Sequence, residues 1–250
     1  MSAEPHLRAG AGSSLRPDSA DGGGIEVRGL SKALRGRSIL SNVDLTVPRG
    51  SVAVVEGSNG AGKTTLVRVL ATVVSPDSGQ ASVHGHDVCT HSLEVRRSIG
   101  VSFANERSLY WRITGIENLE LFGRIAGLSK RTIADRSASL LEDLKLDEIA
   151  RGQVARMSTG QRQRLMVARA LLTDPAVLLL DEPFRGLDQE GLSAMTGLVA
   201  RLASDGLTAL IVAPLIEAVL PIADAAYRID AGVLRTASAA RRPDPSEAQA

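Results

Sequence analysis

The sequence predicts an α/β fold in which a mostly parallel β-sheet is covered by helices on both faces. Short apolar runs, SVAVVE (51–56) and AVLLL (176–180), indicate strands that are buried on both faces. A segment of helical character follows each of these runs. Alternation of apolar and polar residues in GIEVRGL (24–30) and SNVDLTVPRG (41–50) indicates an additional antiparallel sheet near the N-terminus.

The predicted elements follow one another along the chain in an alternating order. A helix is expected from about Gly62 to Val74, and ASVHGHDV (81–88) and IGVSF (99–103) are strand-like. Residues 116–150 change to helical spacing, with Ser129 as a helix cap, and this predicts a helical insertion. The remaining elements are a helix over Thr159–Leu172, the strand AVLLL, a helix after Asp188, the strand TALIV (208–212), a helix after Pro214, and the strands AYRI (226–229) and VLR (233–235).

Composition is typical of a globular protein. Of the 250 residues, 44% are hydrophobic and 23% are charged. The net charge of +1 gives no general reason to expect a nucleic-acid partner. Residues 1–24 and 236–250 are rich in small and polar residues and are expected to be disordered. No apolar run approaches the roughly 18–20 residues of a bilayer-spanning helix, so we expect any membrane role to depend on a partner.

A glycine-rich stretch after the first buried strand matches the pattern G-x-x-x-x-G-K-[ST]. It comprises Gly57, Ser58, Asn59, Gly60, Ala61, Gly62, Lys63, Thr64 and Thr65. Phosphates are bound by a ring of backbone N–H groups, which requires glycines, and by a helix N-terminus, whose dipole favours anions. The pattern predicts that Lys63 reaches the β- and γ-phosphates of a nucleotide and that the Thr64 hydroxyl ligates Mg²⁺.

Two carboxylates end a second apolar strand, VLLLDE (177–182). The carboxyl end of a parallel strand beside a phosphate loop is the expected position of a metal ligand. We therefore expect Asp181 to hold Mg²⁺, directly or through water, and Glu182 to polarise the attacking water of a hydrolysis reaction.

The stretch MSTGQ (157–161) begins the helix that precedes this strand. Taken alone it is typical of a capped surface helix, with Ser158 as a good N-cap. Its position after the phosphate loop and just before VLLLDE adds information, because these three elements in this order resemble the ATP-binding-cassette (ABC) ATPase domain.

The resemblance covers about residues 25–235. It implies a P-loop NTPase (RecA-like) core with an N-terminal antiparallel β subdomain and an inserted helical subdomain at about 103–165. In that family two cassettes dimerise head to tail, and the helix start of one caps the γ-phosphate held by the other. The resemblance assigns that role here to Ser158, Gly160 and Gln161, with Thr159 where glycine is more usual. Lys63 and Glu182 would be catalytic, and ATP and Mg²⁺ the cofactors.

Three positions depart from the family pattern. Leu34 stands where an aromatic residue stacks on adenine, and residues 1–56 contain no Phe, Tyr or Trp. The family's glutamine after the strand IGVSF maps to Asn105, and its switch histidine maps to Pro214. All four histidines precede residue 92, so a shift of the alignment cannot supply the histidine. We expect these losses to slow hydrolysis without removing ATP binding.

The loop ERSLYWRITGIENL (106–119) is similar to the corresponding loop of exporter cassettes for drugs or polysaccharides. The resemblance implies a transporter subunit on the cytoplasmic face of the cell membrane, as a homodimer or heterodimer with a separate transmembrane permease. Two alternatives stay open: a cassette protein without a transport role, and a nucleotide-binding but inactive cassette. The single cassette and the lack of heptads count against the former.

Overall fold

The computed structural model describes residues 24–104 and 108–238, which form two β-sheets and six α-helices. The strands are β1 (Ile25–Leu34), β2 (Arg37–Val47), β3 (Val52–Glu56), β4 (Ser78–Val83), β5 (His86–Asp87), β6 (Ile99–Ser102), β7 (Val177–Asp181), β8 (Thr208–Ala213), β9 (Ala225–Asp230) and β10 (Val233–Ser238). The α-helices are α1 (Lys63–Leu70), α2 (Ser92–Ser98), α3 (Gly115–Ile125), α4 (Lys130–Asp143), α5 (Thr159–Leu171) and α6 (Gln189–Ser204).

The N-terminal sheet is antiparallel and has the strand order β2-β1-β4-β5. In β1 the apolar residues Ile25, Val27 and Leu30 are buried, whereas Arg28 is exposed. This is the pattern of a sheet with one face on the core. The antiparallel sheet predicted from the alternating residues is thereby confirmed.

The second sheet has the order β10-β9-β3-β8-β7-β6 and is parallel except for the edge strand β10. All five residues of β7 and all six of β8 are buried, as expected for central strands covered by helices on both faces. Because β3 and β7 both pair with β8 in parallel, their carboxyl ends lie at the same edge of the sheet. This edge therefore brings the glycine-rich stretch near the Asp-Glu pair.

The helices α3 and α4 lie in the insertion between β6 and β7 that the sequence predicted. Thr114 caps α3, and Ser129 caps α4 by accepting a hydrogen bond from the backbone N–H of Thr132, which confirms the predicted cap. Apolar side chains from both helices, such as Leu119 and Leu141, are buried in the larger of the two cores. The predicted α/β fold class is confirmed.

Two helix predictions differ from the structure. Helix α1 ends at Leu70 rather than Val74, because Thr72 takes a left-handed φ of 58° and β-branched residues follow it. No α-helix lies between Pro214 and β9, a segment that the structure describes throughout, and its one helical element is a 3₁₀ turn at Leu220–Ile222. Pro221 lies within this turn and lacks the backbone N–H that an α-helix would need there.

The ends of the chain were expected to be disordered. Strand β10 extends to Ser238, three residues past the expected boundary at residue 235. Residues 1–23 and 239–250 lie outside the described residues.

Helix α2 was not predicted, since it is short and Val95 is its one buried residue. Across residues 24–104 and 108–238, no helix has the length and apolar character needed to cross a bilayer.

Candidate functional site

The glycine-rich stretch, residues 57–65, follows β3 and includes the first three residues of α1, and we call it the phosphate loop. Gly62 has a φ of 112°, and a Cβ at this position would lie 2.7 Å from the carbonyl oxygen of Ile39. The left-handed backbone and the close approach both require glycine. Helix α1 begins at Lys63, the residue after Gly62, so the glycines lead directly into a helix N-terminus. This arrangement suits an anion.

The side chain of Lys63 lies along the phosphate loop and is only 4% exposed. Its Nζ donates hydrogen bonds to the carbonyl oxygens of Gly57 (2.6 Å) and Ser58 (2.9 Å). Burial lowers the pKa of Lys63, while the negative charges of Glu182 and Asp181 raise it. An ammonium group is thus fixed beside two carboxylates at the mouth of the loop.

Asp181 is the last residue of β7 and is 1% exposed. Neither of its carboxylate oxygens meets a donor in ordinary hydrogen-bond geometry. Burial raises the pKa of Asp181 and the charge of Glu182 adds to this, whereas the nearby Thr64 hydroxyl and the charges of Lys63 and Arg68 lower it. A buried carboxylate without hydrogen-bond partners, next to a hydroxyl, is a suitable oxygen donor set for Mg²⁺.

Glu182 follows β7 with a left-handed φ of 51°, which costs about 1–3 kcal/mol in a residue other than glycine. Hydrogen bonds to two other elements hold it in this conformation. Its backbone N–H donates to the Val212 carbonyl oxygen at 2.8 Å, and its own carbonyl oxygen accepts from Gln163 Nε2 at 3.0 Å. Strand β8 and helix α5 therefore fix the backbone that carries this carboxylate.

The phosphate loop and Glu182 line one cleft of about 300 Å³. The lining residues are Ile39, Asn59, Gly60, Gly62, Lys63, Thr64, Thr65 and Glu182. Sequence reasoning did not identify Ile39, which reaches the cleft from β2. It also did not identify Gln163, whose contact with Glu182 joins α5 to the end of β7. Neither residue belongs to a local sequence motif, so only the tertiary structure identifies them as part of the site.

The predicted serine–glycine helix start is formed as expected. Ser158 caps α5 by accepting from the Gln161 N–H, and the Gln161 side chain accepts from the Ser158 N–H in return. Gly160 packs so closely on Gly186 that a Cβ would lie 2.3 Å from the Gly186 carbonyl oxygen. Ser158, Gly160 and Gln161 are not among the residues that line the cleft of their own chain.

The three departures from the family pattern fall at different places. Leu34 lies at the end of β1, is exposed and does not line the cleft, whereas Ile39 does. Asn105 lies outside the described residues. Pro214 is exposed directly after β8, two residues beyond the Val212 carbonyl that binds the Glu182 N–H.

Residues 108–114, which we call the aromatic loop, present two aromatic side chains to solvent. Tyr110 is 55% exposed and Trp111 42% exposed, whereas Leu109 belongs to the core. Asn118 is fully buried and fixes the loop, since its amide bonds both the N–H and the carbonyl of Tyr110 and also the Thr114 carbonyl. The aromatic surface is therefore presented by a fixed backbone.

Comparison with known proteins identifies the family. A family model described as ABC transporter matches residues 40–185, which is more than half of the chain. The chain belongs to the ABC transporter family, as an ATP-binding cassette. This confirms the resemblance found in the three motifs.

Named relatives include ATP-binding proteins of resistance systems. The cassette is 41% identical over 208 residues to a daunorubicin resistance ATP-binding protein of Streptomyces coeruleorubidus, covering 83% of this chain and 66% of that protein. It is 36% identical over 191 residues to the ABC transporter ATP-binding protein NatA of Bacillus subtilis, covering 76% of this chain and 78% of NatA. The cassette thus spans about two thirds of the length of the daunorubicin resistance proteins that it matches.

Solved structures agree on the fold. A structure described as the ATP-binding subunit of an ABC transporter matches 85% of this chain and 90% of its own, with a TM-score of 0.75 and 26% identity. A dimeric bacterial ABC transporter cassette matches 88% of this chain and 99% of its own, with a TM-score of 0.77 and 23% identity. The predicted P-loop NTPase core with its two additions is confirmed.

Proposed function

We propose that the cassette binds ATP with Mg²⁺, hydrolyses the nucleotide slowly, and serves as the ATP-binding subunit of an exporter whose transmembrane permease is a separate chain. One observation carries the enzymatic part of this proposal. The phosphate loop with Lys63 and Thr64 lies at the same sheet edge as the two carboxylates Asp181 and Glu182. The names of the relatives support the exporter role.

The residues of the site divide the work among them. The N–H groups of the phosphate loop and the ammonium group of Lys63 bind the phosphates, and the Thr64 hydroxyl and Asp181 hold the metal. Mg²⁺, when bound, offsets the negative charge of the phosphate oxygens. Glu182 orients a water molecule and accepts its proton. The strained backbone of Glu182, which is hydrogen-bonded to β8 and α5, keeps this carboxylate in place.

A second cassette completes the site in this proposal. Ser158, Gly160 and Gln161 do not line their own cleft, which supports the head-to-tail dimer that the family resemblance implies. In that dimer they cap the γ-phosphate bound by the other cassette. The partner is another copy of this chain or a related cassette. The mass of the purified chain in the presence of ATP distinguishes the two, because only pairing of identical copies doubles it.

Hydrolysis is the activity that tests the enzymatic part. We expect purified wild-type protein to release phosphate from ATP in a magnesium-dependent manner, slowly but faster than a Glu182→Gln variant, which keeps the shape of the side chain but not its basicity. Both proteins should bind labelled ATP. Equal phosphate release by both would overturn intrinsic ATPase activity, and failure of either to bind ATP would overturn the whole proposal.

The aromatic loop is the proposed contact for the permease. Exposed Tyr110 and Trp111 lie on a backbone fixed by Asn118, and large aromatic side chains of this kind dominate the energetics of many interfaces.

Trp111→Ala is expected to weaken association with the permease by about 2 kcal/mol or more and to leave ATP binding unchanged. Co-purification with membranes from cells that express the permease measures the association. Leu93→Ala is the matched control, because Leu93 is an exposed apolar residue on α2, outside the aromatic loop. Equal recovery of the Trp111→Ala and wild-type proteins with the membranes would contradict the proposed contact.

A further inference from the structure

The aromatic loop is bonded to the segment that leads into the serine–glycine helix start. The Trp111 carbonyl oxygen accepts from the Ala155 N–H at 3.0 Å, and the Ile113 carbonyl oxygen accepts from the Val154 N–H at 3.1 Å. A further bridge joins Thr114 to Gln153. The loop therefore forms part of the same backbone unit as the approach to α5.

The side chain of Arg162 also connects the aromatic loop to the start of α5. Its guanidinium carbon lies 5.0 Å from the centroid of the Trp111 ring. Its Nη1 donates to the Met157 carbonyl oxygen, and its Nη2 donates to Thr159 Oγ1 at 3.3 Å. A planar guanidinium can stack on an aromatic ring and still donate from its edge, which an ammonium group cannot do in the same way.

The hydroxyl that Arg162 binds belongs to Thr159, the residue that stands where the family more often has glycine. Glycine has no side chain to accept this hydrogen bond. Thr159 also contacts the turn on its other side, because a Cβ placed on Gly186 would lie 3.1 Å from Thr159 Cβ and Cγ2. Thr159 thus lies between Arg162 and the Gly186 turn, directly beside Ser158 and Gly160.

We propose that Arg162 is a positioning residue that couples the aromatic loop to the start of α5, with Thr159 as the point of attachment. A partner that moves Trp111 then moves Ser158 and Gly160, and binding of ATP between two cassettes is felt at Trp111. This inference rests on the proposed function, because it requires ATP-dependent pairing of cassettes. It adds to that function a connection, through Arg162 and Thr159, by which the aromatic loop and the ATP site influence each other.

Trp111 is the one tryptophan of the chain, so its emission reports on the aromatic loop without a label. The full chain with Glu182→Gln serves as the parent, because hydrolysis then does not interfere. Magnesium–ATP is expected to change the Trp111 emission of the parent. Adding Thr159→Val, which keeps the shape but removes the hydroxyl, should reduce that change at least several-fold, whereas Thr159→Ser should retain it.

Two further variants separate coupling from general damage. Arg162→Lys keeps a positive charge but loses the planar fork, and it should also reduce the change in emission. Arg124→Gln is the control, because it removes only the exposed ion pair with Glu120 on α3 and should respond like the parent. Thermal unfolding shows which variants are folded. If Thr159→Val does not fold, the change in Trp111 emission of Arg162→Lys tests the coupling instead.

Binding of labelled ATP and the mass of the nucleotide-bound species are measured on each protein. Failure of the parent to bind ATP would overturn the proposed function, and the inference with it. ATP binding without pairing of two parent chains would overturn the inference alone, because the inference requires paired cassettes. Binding and pairing with an unchanged Trp111 emission in the parent would overturn the inference alone. The same conclusion follows from a full emission change in folded Thr159→Val and Arg162→Lys proteins.

Discussion

Pro214→His is expected to raise the rate of magnesium-dependent ATP hydrolysis by about 10-fold to 100-fold. Removal of one positioned transition-state donor typically costs about 10²–10³ in rate, and a newly introduced donor restores part of that. The position is favourable, because Pro214 follows β8 directly and Val212 of that strand already binds the Glu182 backbone. The resemblance maps the family's switch histidine to Pro214, so an imidazole here is expected to donate to the γ-phosphate, which the proline ring cannot do.

Pro214→Ala is the matched control for this gain. It also removes the ring and restores a backbone N–H, but it offers no side-chain donor. Phosphate release at saturating ATP should therefore increase in Pro214→His and stay near the wild-type rate in Pro214→Ala. The same rate in all three proteins would show that this position does not limit hydrolysis.

Much of the candidate site could be predicted from the sequence because its chemistry is local. The phosphate loop needs glycines at fixed spacing next to a strand and a helix, and Gly62 shows the reason in its positive φ and its closeness to Ile39. The Asp181–Glu182 pair could be placed because parallel strands align their carboxyl ends. The Ser158 cap was predictable for the same local reason.

The contacts that hold these motifs together could not be predicted, since they join residues far apart in the sequence. The Gln163 amide reaches the Glu182 carbonyl from a different helix. Asn118 reads as an ordinary polar residue of a helix, yet it is fully buried and pins the aromatic loop. Side-chain burial of this kind depends on tertiary packing, which periodicity does not specify.

The wrong prediction of a helix after Pro214 has a similar lesson. Ile216 and Val219 of that segment are buried at the spacing of a helix, whereas Leu215 and Leu220 are exposed. Pro221 nevertheless prevents a continuous α-helix, and the chain makes a 3₁₀ turn instead. Periodicity indicated burial correctly, and the backbone chemistry of one proline decided the conformation.

Asp181→Asn is expected to stabilise the nucleotide-free protein at neutral pH while removing most of the stabilisation by magnesium–ATP. The Asp181 carboxylate is buried and makes no hydrogen bond of ordinary geometry, so its removal should raise the free energy of unfolding by about 1 kcal/mol. In the wild-type protein, magnesium–ATP at 100 times its Kd adds about 2.7 kcal/mol. The variant should lose most of this increment, because an amide replaces a charged ligand of the metal.

The pH dependence of the free energy of unfolding gives the sign of the stabilisation expected for Asp181→Asn. The pKa of Asp181 is raised in the folded protein above its ordinary value of 3.8, so the folded state disfavours ionisation. The penalty is absent below the unfolded pKa, grows as pH rises through the interval between the two values, and is complete above the folded pKa. Denaturant unfolding without nucleotide should therefore show an advantage of Asp181→Asn that increases with pH and then levels off. An advantage for wild type at neutral pH would mean that the buried carboxylate is compensated within the fold, and the case for Asp181 as a site prepared for a cation would fail with it.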